Sequence, residues 1–319
     1  MGADKITERQ VIGNFYKALT VATGAPWLDA VSNYFTSDQA LEEYAWLGMS
    51  PAMREWVGGR NAKGFREESF QIRNKHYEAT LEVLVKDMRR DKTGQLMTRI
   101  NEMARRANSH WASLISDLIE AGPSTTCYDG QYFFDTDHSE GDSGTQSNDI
   151  SVDLSAHPVE TAGSVTLPSV AEMQYAIAKA IEAIVGFVDD QGEPMNEDAS
   201  AFLVMAPASY MNVIMQAVAT PVQVTETQTA LQALKSNFRI DVAVNPRLTT
   251  LAAAYQFPVF RTDSFLKSFI RQEEMGVQLK VKGSGSEFEF DNDAHQYGID
   301  TWRNVGYGMW QNSCLVTLA

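Results

Sequence analysis

The most regular stretch of the chain, residues 93–121, reads TGQLMTRINEMARRANSHWASLISDLIEA. Its apolar residues recur at steps of three and four: Leu96, Ile100, Met103, Ala107, Trp111, Leu114 and Leu118. This spacing predicts one apolar face on an α-helix. Gly122 and Pro123 end it, because neither residue continues a helix well. At 1.5 Å per residue the helix spans roughly 43 Å, which is long for a globular domain.

A long β-hairpin is predicted before this helix. Apolar residues at positions 77, 79, 81, 83 and 85 alternate with polar ones, which is typical of a half-buried strand. The segment VGGRNAKG, residues 57–64, has the glycines and asparagine of a loop tip. We therefore expect a hairpin from Glu43 to Lys86. A hairpin this long is marginal alone, so it needs a supporting surface, on its own chain or on another subunit.

The first 35 residues form a separate arm. Ile12, Phe15 and Leu19 have helical spacing, and a second helical pattern follows Pro26, with Trp27, Leu28, Val31, Tyr34 and Phe35 on its apolar face. Gly24-Ala25-Pro26 separates the two pieces. Neither piece can make a core alone, so we expect both to pack on the body of the protein or on a neighbour.

The rest of the chain mixes helices with strands. We expect an exposed excursion over residues 122–165, a helix over 170–188, a buried strand at 201–206, a helix at 207–219 and a strand at 238–244. Val277, Leu279 and Val281 predict another strand. A second strand carrying Phe288 and Phe290 should follow the turn at residues 283–286.

Length and charge narrow the function classes. The 319 residues allow about two domains at roughly 150 residues each. The net charge of -15 disfavours broad binding to nucleic acid. Charge is segregated, with 13 basic and 8 acidic residues over 51–110, and 1 basic and 17 acidic over 111–200. Such blocks either orient one subunit against another or form two solvated surfaces.

Location and redox state follow from the same sequence. No apolar run approaches the roughly 18 residues of a membrane span. The first residues lack the apolar stretch of a signal peptide, so synthesis is expected to end in the cytoplasm. Two cysteines, Cys127 and Cys314, match no paired metal-ligand spacing and are expected to be reduced thiols.

The most site-like segment is CYDGQYFFDTDH, residues 127–138, followed by Glu140 and Asp142. A calcium loop starting at Asp135 would need Gly at Glu140 and Glu at Gln146. Either a divalent ion or a folded turn with packed aromatics fits the segment, and we favour the turn. The five histidines have no catalytic spacing. We assign no catalytic, cofactor-binding or metal-binding residue, and no enzymatic activity.

Several blocks together resemble a known family. They are WLG at 46–48, MREWVG at 53–58 with Arg60, NK at 74–75, the segment 127–138, and YGID at 297–300 with NVGYG at 304–308. With this set the chain resembles the Mu-like bacteriophage major head subunit, the gpT family. The resemblance implies an α+β fold of the Hong Kong 97-type, with an N-terminal arm, an extended hairpin loop, a peripheral domain with a long spine helix, and an axial domain.

The resemblance also implies a domain division. The arm is residues 1–42 and the extended hairpin loop residues 43–90. The peripheral domain, with the spine helix, covers 91–165 and returns as strands at 262–300. The axial domain covers 166–261, with a C-terminal return at 301–319.

The implied function is that of a major capsid protein. Copies assemble as hexamers and pentamers into an icosahedral head, part of the virion, that encloses double-stranded DNA without sequence-specific binding. Assembly occurs in the host bacterial cytoplasm, without a membrane. Portal and scaffold proteins, and a cement protein, are further partners. Contacts between copies are expected at Trp27, Tyr34, Phe35, Trp46, Arg54, Trp56, Arg60 and Lys63.

Two alternatives stay open. One is a nanocompartment shell protein of the same fold, which stores a cargo enzyme instead of a genome. The other is a metal-dependent hydrolase that uses the acidic segment around Asp135 and Asp137.

Overall fold

The computed structural model describes residues 8–21, 24–44, 70–90, 94–156, 163–219 and 237–319. The helices in these ranges are α1 (Glu8–Val21), α2 (Leu28–Val31), α3 (Val85–Arg90), α4 (Gln95–Ala121), α5 (Val170–Val185), α6 (Met211–Ala219), α7 (Thr249–Ala253) and α8 (Glu287–Asn292). The strands are β1 (Ser32–Thr36), β2 (Leu41–Tyr44), β3 (Phe70–Arg73), β4 (Lys75–Leu84), β5 (Asp149–Val152), β6 (Ala201–Ala206), β7 (Arg239–Val244), β8 (Gln256–Arg261), β9 (Phe269–Lys282), β10 (Ala294–Tyr307) and β11 (Ser313–Leu318).

Helix α4 is the predicted long helix, with 27 residues. It begins after Gly94, whose φ of 71° lies in the left-handed region that favours glycine. Of the predicted apolar face, Leu96, Ile100 and Ala107 are buried, and Met103, Trp111 and Leu118 are partly buried and pack against core residues. Buried residues are Leu96, Ile100, Ala104, Ala107, Ala112, Ile115, Ser116 and Ile119. Small side chains on this face allow close approach, so the larger Trp111, Leu114 and Leu118 lie half-buried at its margin.

A four-stranded sheet lies against α4. Its strand order is β1-β9-β10-β4, with β1 parallel to β9 and the other pairs antiparallel. Strand β4 carries the predicted alternation, and it pairs with β10 from Leu84↔Ala294 to Lys75↔Arg303. The partner of β4 is therefore a strand far along the sequence.

The predicted strand at Phe288 and Phe290 is wrong, because these residues lie in α8. The Ser286 side chain caps this helix by accepting a hydrogen bond from the Glu289 N–H. The carboxylates of Glu287 and Glu289, in the first turn, interact favourably with the positive end of the helix dipole. The chain thus makes one helical turn before β10 pairs antiparallel with β9.

A five-stranded sheet has the order β5-β11-β8-β6-β7. The outer pairs, β5 with β11 and β6 with β7, are parallel, and the inner pairs are antiparallel. Strand β6 is the predicted buried strand at 201–206. Helix α5 packs on this sheet and begins at a capping box in which Ser169 and Glu172 satisfy each other's backbone N–H groups.

Two apolar cores result. The larger core joins the five-stranded sheet, α5, α6 and the second half of α4, and it includes Trp27, Phe133 and Trp310. The smaller core lies between α1, the first half of α4, and β10. Its buried members are Val11, Phe15, Leu96, Ile100, Ala104, Ala107, Tyr297 and Ile299. The arm helix α1 is therefore packed on its own chain.

The second helical pattern of the arm is wrong beyond residue 31. After the single turn of α2, residues 32–36 form β1, which pairs parallel with β9 from Ser32↔Phe269 to Thr36↔Glu273. Tyr34, Phe35 and Thr36 have high strand propensity, and the edge of β9 supplies the hydrogen bonds. Tyr34 and Phe35 thus lie on a strand.

Two strands bear on the expected domain division, which stays a prediction. Strand β5 lies within 91–165, yet it pairs with β11 in the five-stranded sheet that contains most of 166–261. Strand β10 continues without a break across position 300 to Tyr307.

Candidate functional site

The arm aromatics have different surroundings within one chain. Trp27 is 7% exposed and lies in the larger core, so little of it is left for contact with another copy. Phe35 is half-buried and packs on Tyr44 with ring centroids 5.8 Å apart. Tyr34 keeps 46% of its surface exposed. Among these three predicted contact residues, Tyr34 offers the most surface to a neighbour.

Tyr34 is held in a fixed position despite its exposure. Its ring lies edge-on to Trp111 at 6.3 Å, and the Arg271 guanidinium lies 5.6 Å from the ring centroid. Its hydroxyl donates to the Glu273 carboxylate. Burial and then this hydrogen bond raise the pKa of Tyr34 to about 12. The side chain therefore presents a neutral, preorganised aromatic surface.

The two ends of the predicted extended hairpin are anchored by a buried polar network. Strands β2 and β3 pair antiparallel from Leu41↔Arg73 to Tyr44↔Phe70. The Tyr44 hydroxyl donates to Gln272 Oε1 at 2.7 Å, and Gln272 Nε2 donates to Asn74 Oδ1 at 2.8 Å. Asn74 Nδ2 in turn donates to the Gln39 carbonyl at 2.8 Å. The network ties the base of the hairpin to β9.

Sequence reasoning missed Gln272 in this network, because a single glutamine on a strand carries no periodic signal. Asn74 belongs to the NK block at 74–75, which by itself does not indicate this network. Trp46, Arg54, Trp56, Arg60 and Lys63, the predicted loop contacts, lie outside the described residues.

The segment 127–138 closes on a buried cluster. The Asp129 and His138 side chains are 2% and 0% exposed, and their Oδ2 and Nδ1 atoms lie 2.6 Å apart. The Cys127 thiol donates to Asp129 Oδ1 at 2.9 Å. Burial, followed by the nearby Asp129 charge, raises the pKa of Cys127 far above its ordinary value. The thiol is therefore neutral and unreactive at neutral pH.

The opposite edge of the His138 ring is fixed by Asn148. Asn148 Nδ2 donates to the Phe133 carbonyl at 2.8 Å, and its Oδ1 accepts from the Asp135 N–H at 2.9 Å. These backbone partners determine the amide orientation, so His138 Nε2 donates to Asn148 Oδ1 at 3.2 Å. The ring also stacks on Trp310 with centroids 3.9 Å apart and planes 8° apart.

Cys127, Asp129 and His138 are the described residues that bring three metal-type ligand atoms within 4.8 Å of one another. Each ligand already serves an internal hydrogen bond, and the neutral thiol would have to lose its proton to bind an ion. Of the rejected calcium pattern, Asp135 and Asp137 interact through their carboxyl groups. Gln146 bonds both backbone groups of Val188, at 2.8 and 3.0 Å, and so connects two loops. The segment thus acts as a folded turn.

Among the described residues, no helix combines the length and apolar character needed to cross a bilayer.

Comparison with known proteins gives one family match and two relatives of known name. The family described as "Mu-like prophage major head subunit gpT" matches residues 7–159. The chain is 33% identical over 141 residues to the Mu-like prophage FluMu major head subunit of Haemophilus influenzae, covering 41% of this chain and 46% of that protein. It is 37% identical over 95 residues to the major capsid protein of Escherichia phage Mu, covering 30% and 31%. The alignments span less than half the length of these relatives.

A solved structure resembles the whole chain. It is the procapsid of bacteriophage JBD30, with a TM-score of 0.53, 24% sequence identity, and coverage of 98% of this chain and 76% of that one. This likeness shows the fold, and the expected Hong Kong 97-type α+β fold of phage capsid proteins is confirmed. The matched family is one of structural head subunits, in agreement with the expectation that the chain is not an enzyme.

Proposed function

We propose, on the premise that residues 7–159 belong to the Mu-like prophage major head subunit gpT family, that the chain is the major capsid protein of a tailed bacteriophage head. The observation that carries the proposal is the coincidence of this family match with a capsid fold over the whole chain. Many copies form an icosahedral shell, part of the virion, around double-stranded DNA.

The charge of the chain supports a container that confines DNA without binding it tightly. At a net charge of -15, the average surface repels phosphate. We infer that the shell holds its genome sterically. Portal, scaffold and cement proteins, and assembly in the host cytoplasm, belong to the same proposal.

The exposed parts of the arm support association of copies. Tyr34 is preorganised beside Trp111 and Arg271, and the hairpin base is fixed to β9 through Tyr44 and Gln272. We propose that Tyr34, Phe35 and the loop residues Trp46, Arg54, Trp56, Arg60 and Lys63 contact neighbouring copies. Trp27 supports this surface from within its own core. The division into arm, extended loop, peripheral and axial domains is part of the proposal.

Electron microscopy of the expressed protein, with and without co-expressed head proteins of the same phage, tests the function. We expect closed shells of uniform size, and nuclease-protected DNA in particles purified from phage. Protein cargo in place of DNA would instead favour a nanocompartment. A protein that stays monomeric at every concentration, with all partners present, would rule out both shell functions.

A further inference from the structure

The tip of the β9–β10 hairpin is both acidic and apolar. Residues 287–293, sequence EFEFDND, contain four carboxylates and no lysine or arginine. Phe290 projects from α8 with 91% of its surface exposed. Moving such a ring out of water is worth about 1.5–3 kcal/mol. The tip therefore carries an exposed phenylalanine side chain among acidic residues.

A partly apolar groove, lined by arginines and by several acidic residues, lies between α4 and β4 on the same chain. It contains a cavity of about 190 Å³. The apolar residues that line it are Ala79, Met103, Ala107, Val277 and Ile299. Arg106 stands at its side, and Arg99 and Arg105 line the groove where it continues along α4 past Met103. Glu102 pairs with Arg105 and Arg106. Glu78 and Asp300 also line the cavity, and Asp300 pairs with Lys280.

A buried arginine faces the same cavity. Arg303 is 2% exposed and lies over the Trp111 ring at 4.7 Å. One of its terminal nitrogens donates to the Ala107 carbonyl at 3.0 Å. Among the described residues, its Nε has no hydrogen-bond partner. A buried cationic group with an unused donor favours an incoming negative group or acceptor.

The tip of a chain does not fill its own groove. Ala79 and Leu81, in the groove wall, pair with Ile299 and Tyr297 of β10. The sheet then continues to Leu84↔Ala294 before α8 is reached, and Phe290 remains exposed there. Within the part of the chain that the structure describes, the tip and the groove therefore do not meet.

We propose that α8 of one copy of this chain inserts Phe290 into the α4–β4 groove of a second copy, with its carboxylates against the arginines of α4. The inference rests on the proposed function, since it requires copies to meet in a shell. The two surfaces differ, so the contact is heterologous, and its repetition generates a ring where the rotation between copies closes. This contact would give subunits a direction around each ring.

Cysteine pairing tests the contact in assembled particles. We expect Phe290→Cys combined with Met103→Cys to give dimers and higher multimers on a non-reducing denaturing gel after mild oxidation. Each single variant should give monomers. Phe265→Cys with Met103→Cys is the matched control, because Phe265 is 90% exposed on another loop. Particles of Phe290→Cys with Met103→Cys that yield only monomers, or the same bands as the control, would overturn the contact.

Charge exchange is a second measurement that needs no disulfide. Asp291→Arg and Arg99→Asp should each lower particle yield about tenfold through like-charge contacts, and together they should restore it. A double variant no better than the single ones would count against the contact. If the unsubstituted protein forms no particles at all, the proposed function fails instead.

Discussion

Asp129 is the residue around which the segment 125–148 is organised. Its carboxylate accepts hydrogen bonds from the Cys127 thiol and the Gln131 N–H, and it pairs with His138. Burial alone would raise the pKa of Asp129, but these hydrogen bonds lower it below its ordinary value. The buried charge is thus compensated on every side. A cluster of this kind stabilises a turn that has little other secondary structure.

Removal of His138 should uncover this charge. We expect His138→Ala to lower the free energy of unfolding by about 3–5 kcal/mol, because Asp129 is left buried without its partner. Urea unfolding of the unassembled protein measures the loss. Asp142→Ala, at an exposed position of the same segment, is the control and should change stability by less than about 0.5 kcal/mol. Equal effects of both changes would contradict this role for the cluster.

The same carboxylate predicts a dependence on acid. Because the folded-state pKa of Asp129 is depressed, the contribution of this charge to the free energy of unfolding is fully present above the unfolded-state pKa of about 3.9. It is lost as pH falls through the lower folded value. We expect the stability difference between the unsubstituted protein and Asp129→Asn to shrink below about pH 4. A difference that stays constant from pH 6 to pH 2.5 would show that the charge plays no part.

Gly308 is required by close backbone approach. A Cβ at this position would lie 2.3 Å from the Lys267 carbonyl oxygen, which belongs to the backbone and cannot rotate away. We expect Gly308→Ala to cost about 1–3 kcal/mol of unfolding free energy. Gly13 in α1 has no atom within 4 Å of such a Cβ, so Gly13→Ala should instead add about 0.5–1 kcal/mol. Thermal unfolding of both variants would separate the two cases.

At the scale of elements, periodicity predicted what lies within one helix or strand. The ends of α4 and the position of β6 follow from spacing and from Gly and Pro signals. Periodicity failed at two places, one determined by a distant strand and the other by a local helix cap. Residues 32–36 became β1 because the β9 edge was available, and residues 287–292 became α8 through the Ser286 cap. The Ser286–Glu289 cap is a weaker sequence signal for a helix than the alternating Phe288 and Phe290 are for a strand.

Helix α1 depends on a small core of its own. Phe15 is fully buried there, among Val11, Leu96 and Ile100. We expect Phe15→Ala to cost about 3–5 kcal/mol locally and to release α1 while α4 stays folded. Hydrogen exchange should then be fast for the amides of residues 8–21 and slow for those of 100–119.

Lys17→Ala is the matched change on the exposed face of α1 and should leave exchange unaltered. Release of α1 by both variants, or by neither, would mean that the small core does not hold it.

At the scale of the whole molecule, negative charge dominates, and this predicts weak contact with DNA. We expect the unassembled subunit to shift a DNA duplex in a gel only at concentrations above about 100 μM, which is weaker than typical non-specific binding. The Arg99→Asp variant should behave the same way. Tight binding that disappears with added salt would contradict the view that the shell confines DNA without adhesion.

The sequence predicted the class of the molecule better than its contacts. Blocks such as CYDGQYFFDTDH indicated a resemblance to the family whose model matches residues 7–159. The buried role of Trp27, the Gln272 network and the Arg303 cavity instead depend on residues brought together from distant positions. Such contacts leave no local pattern. The alternation of β4 indicated a strand, but only the structure shows its pairing with β10.

Strand β11 determines when a newly made chain can complete its larger core. It lies between β5 and β8, pairing Leu315 with Asp149 and Cys314 with Val259. At translation rates of about 5–20 residues per second, the ribosome needs on the order of 10–30 s to pass from Asp149 in β5 to Leu315 in β11. During that interval β5 and β8 lack the strand that lies between them, so the larger core stays incomplete and part of its apolar surface remains in contact with water.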